Sequence, residues 1–104
     1  MVTTSHRPPR VVARVQTGVR MEKRLLKVLK ALAELHDLSL GDLLEGICLH
    51  AFEGKPPFDA EGRRRIAELK KIYGLDLDAS DSHRLVERPA PVVSPAGRRK
   101  GRRR

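Results

Sequence analysis

The side chains best suited to chemistry lie in one short segment, residues 14–21, where polar and apolar positions alternate. A period of two predicts a β-strand whose polar side chains all lie on one face. Those polar positions are Arg14, Gln16, Gly18 and Arg20. Guanidinium and amide groups donate hydrogen bonds in planar arrangements that fit phosphate oxygens and the edges of nucleobases. The segment therefore indicates a surface for nucleic acid.

A single strand leaves its backbone donors and acceptors unpaired, and no second convincing strand follows in the sequence. The simplest partner is the same strand of a second copy of the chain. Such a pair would form a two-stranded intermolecular antiparallel ribbon that presents arginine and glutamine from both chains on one face. The pattern thus predicts a homodimer that binds double-stranded DNA.

The distribution of charge points to the two ends of the chain. The formal net charge of the 104 residues is +9. Residues 1–20 contain four arginines and no acidic residue, residues 98–104 contain six basic residues and no acidic one, and the rest carry 12 basic and 13 acidic side chains. A polyanion would be met at the ends, without disturbing a neutral helical core. We expect the basic tail to contact DNA phosphates through Arg98, Arg99, Lys100, Arg102, Arg103 and Arg104. The alternative is a tail that only keeps the protein in solution.

Three helices follow the predicted strand. Apolar residues at helical spacing predict the first over residues 22–36, with lysines on its other side. Ser39 is a predicted N-cap of the second helix, which ends before Gly54. Asp59 is a predicted N-cap of the third, which runs to about Tyr73. With few aromatic residues in the chain, the core must be aliphatic.

These elements divide the chain into four expected regions. A flexible basic segment (1–10) precedes a DNA-binding and dimerisation domain (11–54). An accessory helix and turn (55–85) and a disordered, basic, proline-containing tail (86–104) complete the chain.

The order of strand, helix, short turn and helix over residues 14–53 resembles the ribbon-helix-helix family (MetJ/Arc/CopG type) of bacterial repressors and antitoxins. The motif VQTGVRM leads into the first helix, and Asp37-Leu38-Ser39-Leu40 resembles the family's turn into the second. The resemblance implies a mainly α fold with one N-terminal strand, assembled as an intertwined homodimer around the ribbon. The third helix would be an extra C-terminal element.

The resemblance also assigns roles to residues. The ribbon would enter the major groove, with Gln16, Gly18 and Arg20 facing the bases and Arg14 contacting a phosphate. The start of the second helix, at Ser39, Leu40 and Gly41, would direct backbone N–H groups at another phosphate. The expected dimer core consists of Val15, Val19, Met21, Leu29, Leu43, Leu44, Ile47, Cys48 and Phe52.

Other interpretations of these patterns stay open to different degrees. The strand could be a solvated edge, and the lysines of the first helix a solvated face. A helix-turn-helix reader at residues 39–53 is disfavoured because that helix carries acidic residues and no Lys or Arg. Two further functions remain: an antitoxin-type protein whose residues 55–88 bind a partner toxin, and a nonspecific nucleoid-associated or RNA-binding protein.

Catalysis has little support in the sequence. Four histidines and Cys48 share no metal-ligand spacing, Cys48 is expected on a buried stripe, and no glycine-rich phosphate loop is present. We therefore expect no enzyme, no metal and no cofactor. The chain lacks an apolar run long enough for a membrane span, so a cytoplasmic, nucleoid-associated protein is expected.

Overall fold

A computed structural model describes residues 7–88. This part of the chain contains three α-helices: α1 (Lys23–Leu35), α2 (Leu40–Phe52) and α3 (Ala60–Tyr73). A short 3₁₀ turn follows at Ala79–Asp81. The predicted positions of all three helices are confirmed to within two residues.

Local hydrogen bonds fix where the helices begin and end. Ser39 Oγ accepts a hydrogen bond from the backbone N–H of Asp42 at 3.0 Å, and Asp59 Oδ1 accepts one from Gly62 at 2.8 Å. Each bond satisfies a backbone donor that lacks a partner inside the helix. Gly74, at a φ of 68°, ends α3 in the left-handed conformation that glycine adopts most readily. The predicted caps Ser39 and Asp59 are confirmed.

The core is small and mostly aliphatic, and it lies between α1 and its two neighbours. Leu32 of α1 is 1% exposed and packs with Ala33 and with Leu43 of α2. Partly buried side chains surround them, namely Leu29, Ile47, Phe58, Ile66 and Leu69. Helix α1 is therefore the central element, against which both α2 and α3 pack.

The predicted N-terminal strand is wrong. Residues 7–88 contain no strand and no sheet, so the ribbon-helix-helix fold with its two-stranded ribbon is not supported. Residues 7–20, called the extended segment below, are irregular and exposed throughout. Alternation of polar and apolar residues shows which side chains would share a face, but a strand also needs a partner for its backbone. No segment among residues 7–88 supplies one.

The chain after α3 folds back towards α1. Leu75 is buried, and Lys70 Nζ donates a hydrogen bond to the carbonyl oxygen of Leu77 at 3.1 Å. Arg24 of α1 donates to the carbonyl oxygen of Gly74 at 2.9 Å and forms an ion pair with Asp76 at 3.1 Å. These contacts hold the end of α3 to the beginning of α1.

Candidate nucleic-acid interface

The extended segment is the most exposed part of the described chain. It contains no acidic residue, and its apolar side chains Val11, Val15 and Val19 are 100%, 86% and 73% exposed. Its backbone and side chains are therefore accessible to a ligand along the whole segment. An accessible, cationic and extended chain has the properties needed to follow a polyanionic backbone.

Arg14 joins the extended segment to the first turns of α2. Its Nε donates to Glu45 Oε2 at 2.9 Å, and its Nη2 donates to Glu45 Oε1 at 2.8 Å. The same Nη2 also donates to Asp42 Oδ1 at 3.1 Å. The hydrogen bond from Arg14 lowers the pKa of Glu45, and the bond to Glu45 raises the pKa of Arg14. Arg14 thus makes a two-pronged pair with one carboxylate and a single contact with another.

This contact brings together two groups that the sequence assigned to phosphate. Arg14 lies beside the first turn of α2, which begins after Ser39 and contains Gly41 and Asp42. Asp42 does not return a capping hydrogen bond to Ser39; its carboxylate accepts from Arg14 instead. A cation and a helix N-terminus therefore meet here, and carboxylates of the same chain already contact the cation.

The three predicted base-contacting residues lie together on the extended segment. Gln16 and Gly18 are exposed, and no atom lies within 4 Å of the position where a Cβ of Gly18 would stand. Packing therefore does not explain the glycine. The side chain of Arg20 is 82% exposed and forms an ion pair with Glu87. All three residues are accessible, and Arg20, like Arg14, is paired with a carboxylate of the same chain, in this case one in the irregular segment after the 3₁₀ turn.

A stripe of three lysines on α1 continues the basic surface. Lys23, Lys27 and Lys30 are exposed, and their spacing places them on one face of the helix. None of the three forms an ion pair within residues 7–88. Like charges at this spacing repel one another, so the stripe costs some helix stability. Their exposure agrees with the interpretation as a solvated face, and the stripe begins three residues after Arg20 in the sequence.

Two of the three arginines of α3 share one acidic neighbour. Arg64 and Arg65 both form ion pairs with Glu61 one turn earlier in the helix. Such pairs are typical of a solvated helix face. Arg63 and Lys71 of α3 are exposed and form no ion pair within residues 7–88, so α1 differs from α3 in carrying three unpaired lysines that follow directly on the extended segment.

Helix α2 exposes much of its apolar surface. Leu43 is its one buried residue, whereas Leu49 and Phe52 are 64% and 82% exposed. The free thiol of Cys48 is also exposed, so the prediction of a buried Cys48 is wrong for the single chain. The side chains of Leu44, Cys48, Leu49 and Phe52 lie on one side of α2, called the α2 face below, and the exposed Glu45 lies among them.

The residues predicted for a dimer core separate into two groups. Leu29, Leu43 and Ile47 pack in the core of their own chain. The others are half-buried or exposed, namely Val15, Val19, Met21, Leu44, Cys48 and Phe52. Of the predicted residues only Leu43 is buried in its own chain, and the second group has the most surface left for a partner.

Other kinds of site have less support. A groove of about 350 Å³ between α1, α3 and residues 75–85 is lined mainly by apolar side chains, among them Leu29 and Phe58. Residues 7–88 contain no group of three or more side chains arranged to hold a metal ion. In the same range, no helix combines the length and apolar character needed to cross a bilayer.

Some predicted residues lie outside the described chain. They are residues 1–6 of the N-terminal segment and residues 89–104, which include the basic side chains Arg98, Arg99, Lys100, Arg102, Arg103 and Arg104. Comparisons of the chain with protein-family models, curated proteins and solved structures find no match.

Proposed function

We propose that this chain is a double-stranded DNA-binding protein with a sequence preference that regulates transcription as a homodimer. One observation carries the proposal: an acid-free extended segment with exposed arginines runs directly into the unpaired lysine stripe of α1. Together they form a basic surface, whereas the other side chains of residues 21–97 include 9 basic and 13 acidic ones. Release of counterions from DNA favours binding to such a surface.

The cations have different tasks in this proposal. Arg14 and the lysine stripe contact phosphates, which position the protein on the duplex without reading sequence. Gln16 and Arg20 approach base edges, where an amide suits adenine and a guanidinium suits guanine. The exposure of both side chains leaves them accessible to a groove.

The proposed homodimer forms through the α2 face. Its four apolar or thiol side chains are uncharged, and Glu45 among them is paired with Arg14, so two copies can bury the face against each other without enclosing an unpaired charge. A two-fold axis makes such a face its own partner.

An antitoxin-type function has less support. It requires residues 55–88 to become ordered on a partner toxin, but α3 already packs against α1 of its own chain. Nonspecific nucleic-acid binding differs from our proposal in one respect, the sequence preference, and the following experiment separates the two.

The experiment is selection of bound sequences from a random duplex library, with and without excess nonspecific DNA. We expect an enriched motif, and we expect Arg20→Ala to lose preference at the positions it reads, at a cost of about 1–3 kcal/mol. Arg65→Ala on α3 is a matched control that should leave the motif unchanged. Binding without any enriched sequence would favour the nonspecific alternative. Absence of duplex binding would overturn the proposal.

A further inference from the structure

We propose that Asp42 and Glu45 compete with DNA phosphate for Arg14 and so limit the affinity of the chain for nonspecific DNA. This inference rests on the proposed function and adds a means of discrimination to it. The two carboxylates are the competing ligands, and a phosphate is the ligand that displaces them.

The geometry supports competition because the carboxylates use the donors that a phosphate needs. Glu45 takes Nε and Nη2 of Arg14 at 2.9 and 2.8 Å, and Asp42 shares Nη2 at 3.1 Å. A phosphate bound in the same two-pronged manner requires the same edge of the guanidinium. Arg14 can therefore not keep its full contact with Glu45 and bind a phosphate through that edge.

The exposure of the pair makes the exchange possible. The side chains of Arg14, Asp42 and Glu45 are 62%, 46% and 48% exposed. Ion pairs so open to solvent are weak, and exchanging one partner for another does not uncover a buried charge. Duplex DNA, with its dense row of phosphates, can displace the carboxylates, whereas an isolated anion has less advantage.

The rest of the extended segment shows why Arg14 is the relevant point. Two side chains among residues 8–20 form hydrogen bonds with the rest of the described chain. Arg14 binds Asp42 and Glu45 in the first turns of α2, and Arg20 binds Glu87. Both are residues that the proposed function assigns to DNA. The intramolecular contacts therefore fall on the groups that must be released for binding.

Competition also explains the acidic character of α2. Asp42 and Glu45 would repel a phosphate that approached the first turns of α2, so they disfavour DNA binding directly as well. A chain with these carboxylates binds a random duplex less tightly than one without them. Phosphate contacts then contribute less to the total affinity, and contacts to bases, which discriminate between sequences, contribute a larger share of it.

The test measures the affinity of the full chain for a fluorescent duplex of mixed sequence at low and moderate salt. Glu45→Gln removes the competing charge and keeps the side-chain volume. Glu68→Gln on α3 is the matched control, because Glu68 is exposed and forms no ion pair within residues 7–88. We expect Glu45→Gln to tighten binding by about 2- to 5-fold more than the control does at low salt, and by less at higher salt.

A double-substitution cycle assigns the effect to Arg14. In an Arg14→Gln background, Glu45→Gln should tighten binding less than it does when Arg14 is present, because only the direct repulsion of phosphate remains; an equal effect in both backgrounds would exclude competition for Arg14. Circular dichroism checks that each variant retains its helices, and Asp42→Asn gives a second, independent variant with the same expected direction.

The outcomes separate this inference from the proposed function. Failure of the unsubstituted chain to bind duplex DNA overturns the proposed function, and the inference with it. Binding by the unsubstituted chain, combined with equal effects of Glu45→Gln and Glu68→Gln, overturns the inference alone. Weaker binding by Glu45→Gln also overturns it, since the carboxylate would then hold Arg14 in position for DNA.

Discussion

Replacing Phe52 by serine is expected to raise the dissociation constant of the proposed homodimer by about 60- to 4,000-fold. Phe52 is 82% exposed in the single chain, and a dimer through the α2 face would bury it. Full burial of such a side chain is worth about 1.5–3 kcal/mol. Scaling by the exposed fraction and counting both copies gives about 2.5–5 kcal/mol per dimer.

Because the side chain contributes little to the core of its own chain, the substitution should leave folding almost unchanged. Sedimentation equilibrium over a range of protein concentrations measures the dissociation constant, and circular dichroism reports the folded state. Val86→Ser is the control, since Val86 is 92% exposed and lies outside α2. A chain that stays monomeric at all concentrations would refute the reasoning, and so would equal dissociation constants for Phe52→Ser and Val86→Ser.

Three further predictions concern the core, the tail and the effect of pH. Leu32→Ala should lower the free energy of unfolding by about 2–5 kcal/mol in urea titrations, because Leu32 is almost fully buried; a loss below that range would mean that the core is elsewhere. Removal of residues 98–104 should weaken binding to all duplexes alike and flatten its salt dependence, and an unchanged slope would exclude the tail from phosphate contact. The hydrogen bond from Arg14 lowers the pKa of Glu45 in the folded chain. The ion pair therefore stabilises the fold fully above the unfolded-state pKa of about 4.3, and this stabilisation is lost as the pH falls through the lower pKa of the folded state. An NMR titration should show Glu45 titrating at higher pH in Arg14→Gln than in the unsubstituted chain; identical midpoints would contradict the pairing.

Helices and their ends could be predicted from the sequence because local interactions decide them. Ser39 and Asp59 cap the helices whose first residues they precede, and each hydrogen bond spans three residues. Apolar spacing also identified Leu32 and Leu43 as residues of apolar helix faces, and both are buried. Capping hydrogen bonds and apolar spacing act within a few residues, so they do not depend on how the helices pack against one another.

The strand could not be predicted correctly from alternation alone. The pattern of residues 14–21 records side-chain direction, whereas strand formation depends on a backbone partner that residues 7–88 do not provide. The polar residues of the pattern are nevertheless exposed, in a segment without regular secondary structure.

The contacts of the candidate site depend on packing and were missed for that reason. Arg14 meets Asp42 and Glu45 across 28 and 31 residues of sequence, and no local pattern relates them. The sequence did show that acidic residues on α2 oppose DNA binding by that helix. It did not show that these residues contact an arginine assigned to DNA.

The salt dependence of duplex binding tests the central claim most directly, namely that the extended segment contacts DNA. Three proteins are compared, the first being the unsubstituted chain. In the variant, Arg10, Arg14 and Arg20 are replaced by glutamine; in the control, the three arginines of α3 (63–65) are replaced by glutamine. Each phosphate contact contributes about 0.9 to the slope of log K against log salt, so we expect the variant to lose about 2 units of slope from Arg10 and Arg14, Arg20 being assigned to a base. The control should keep nearly the full slope. Equal slopes for the two variants would contradict the claim that the extended segment is the DNA-binding surface.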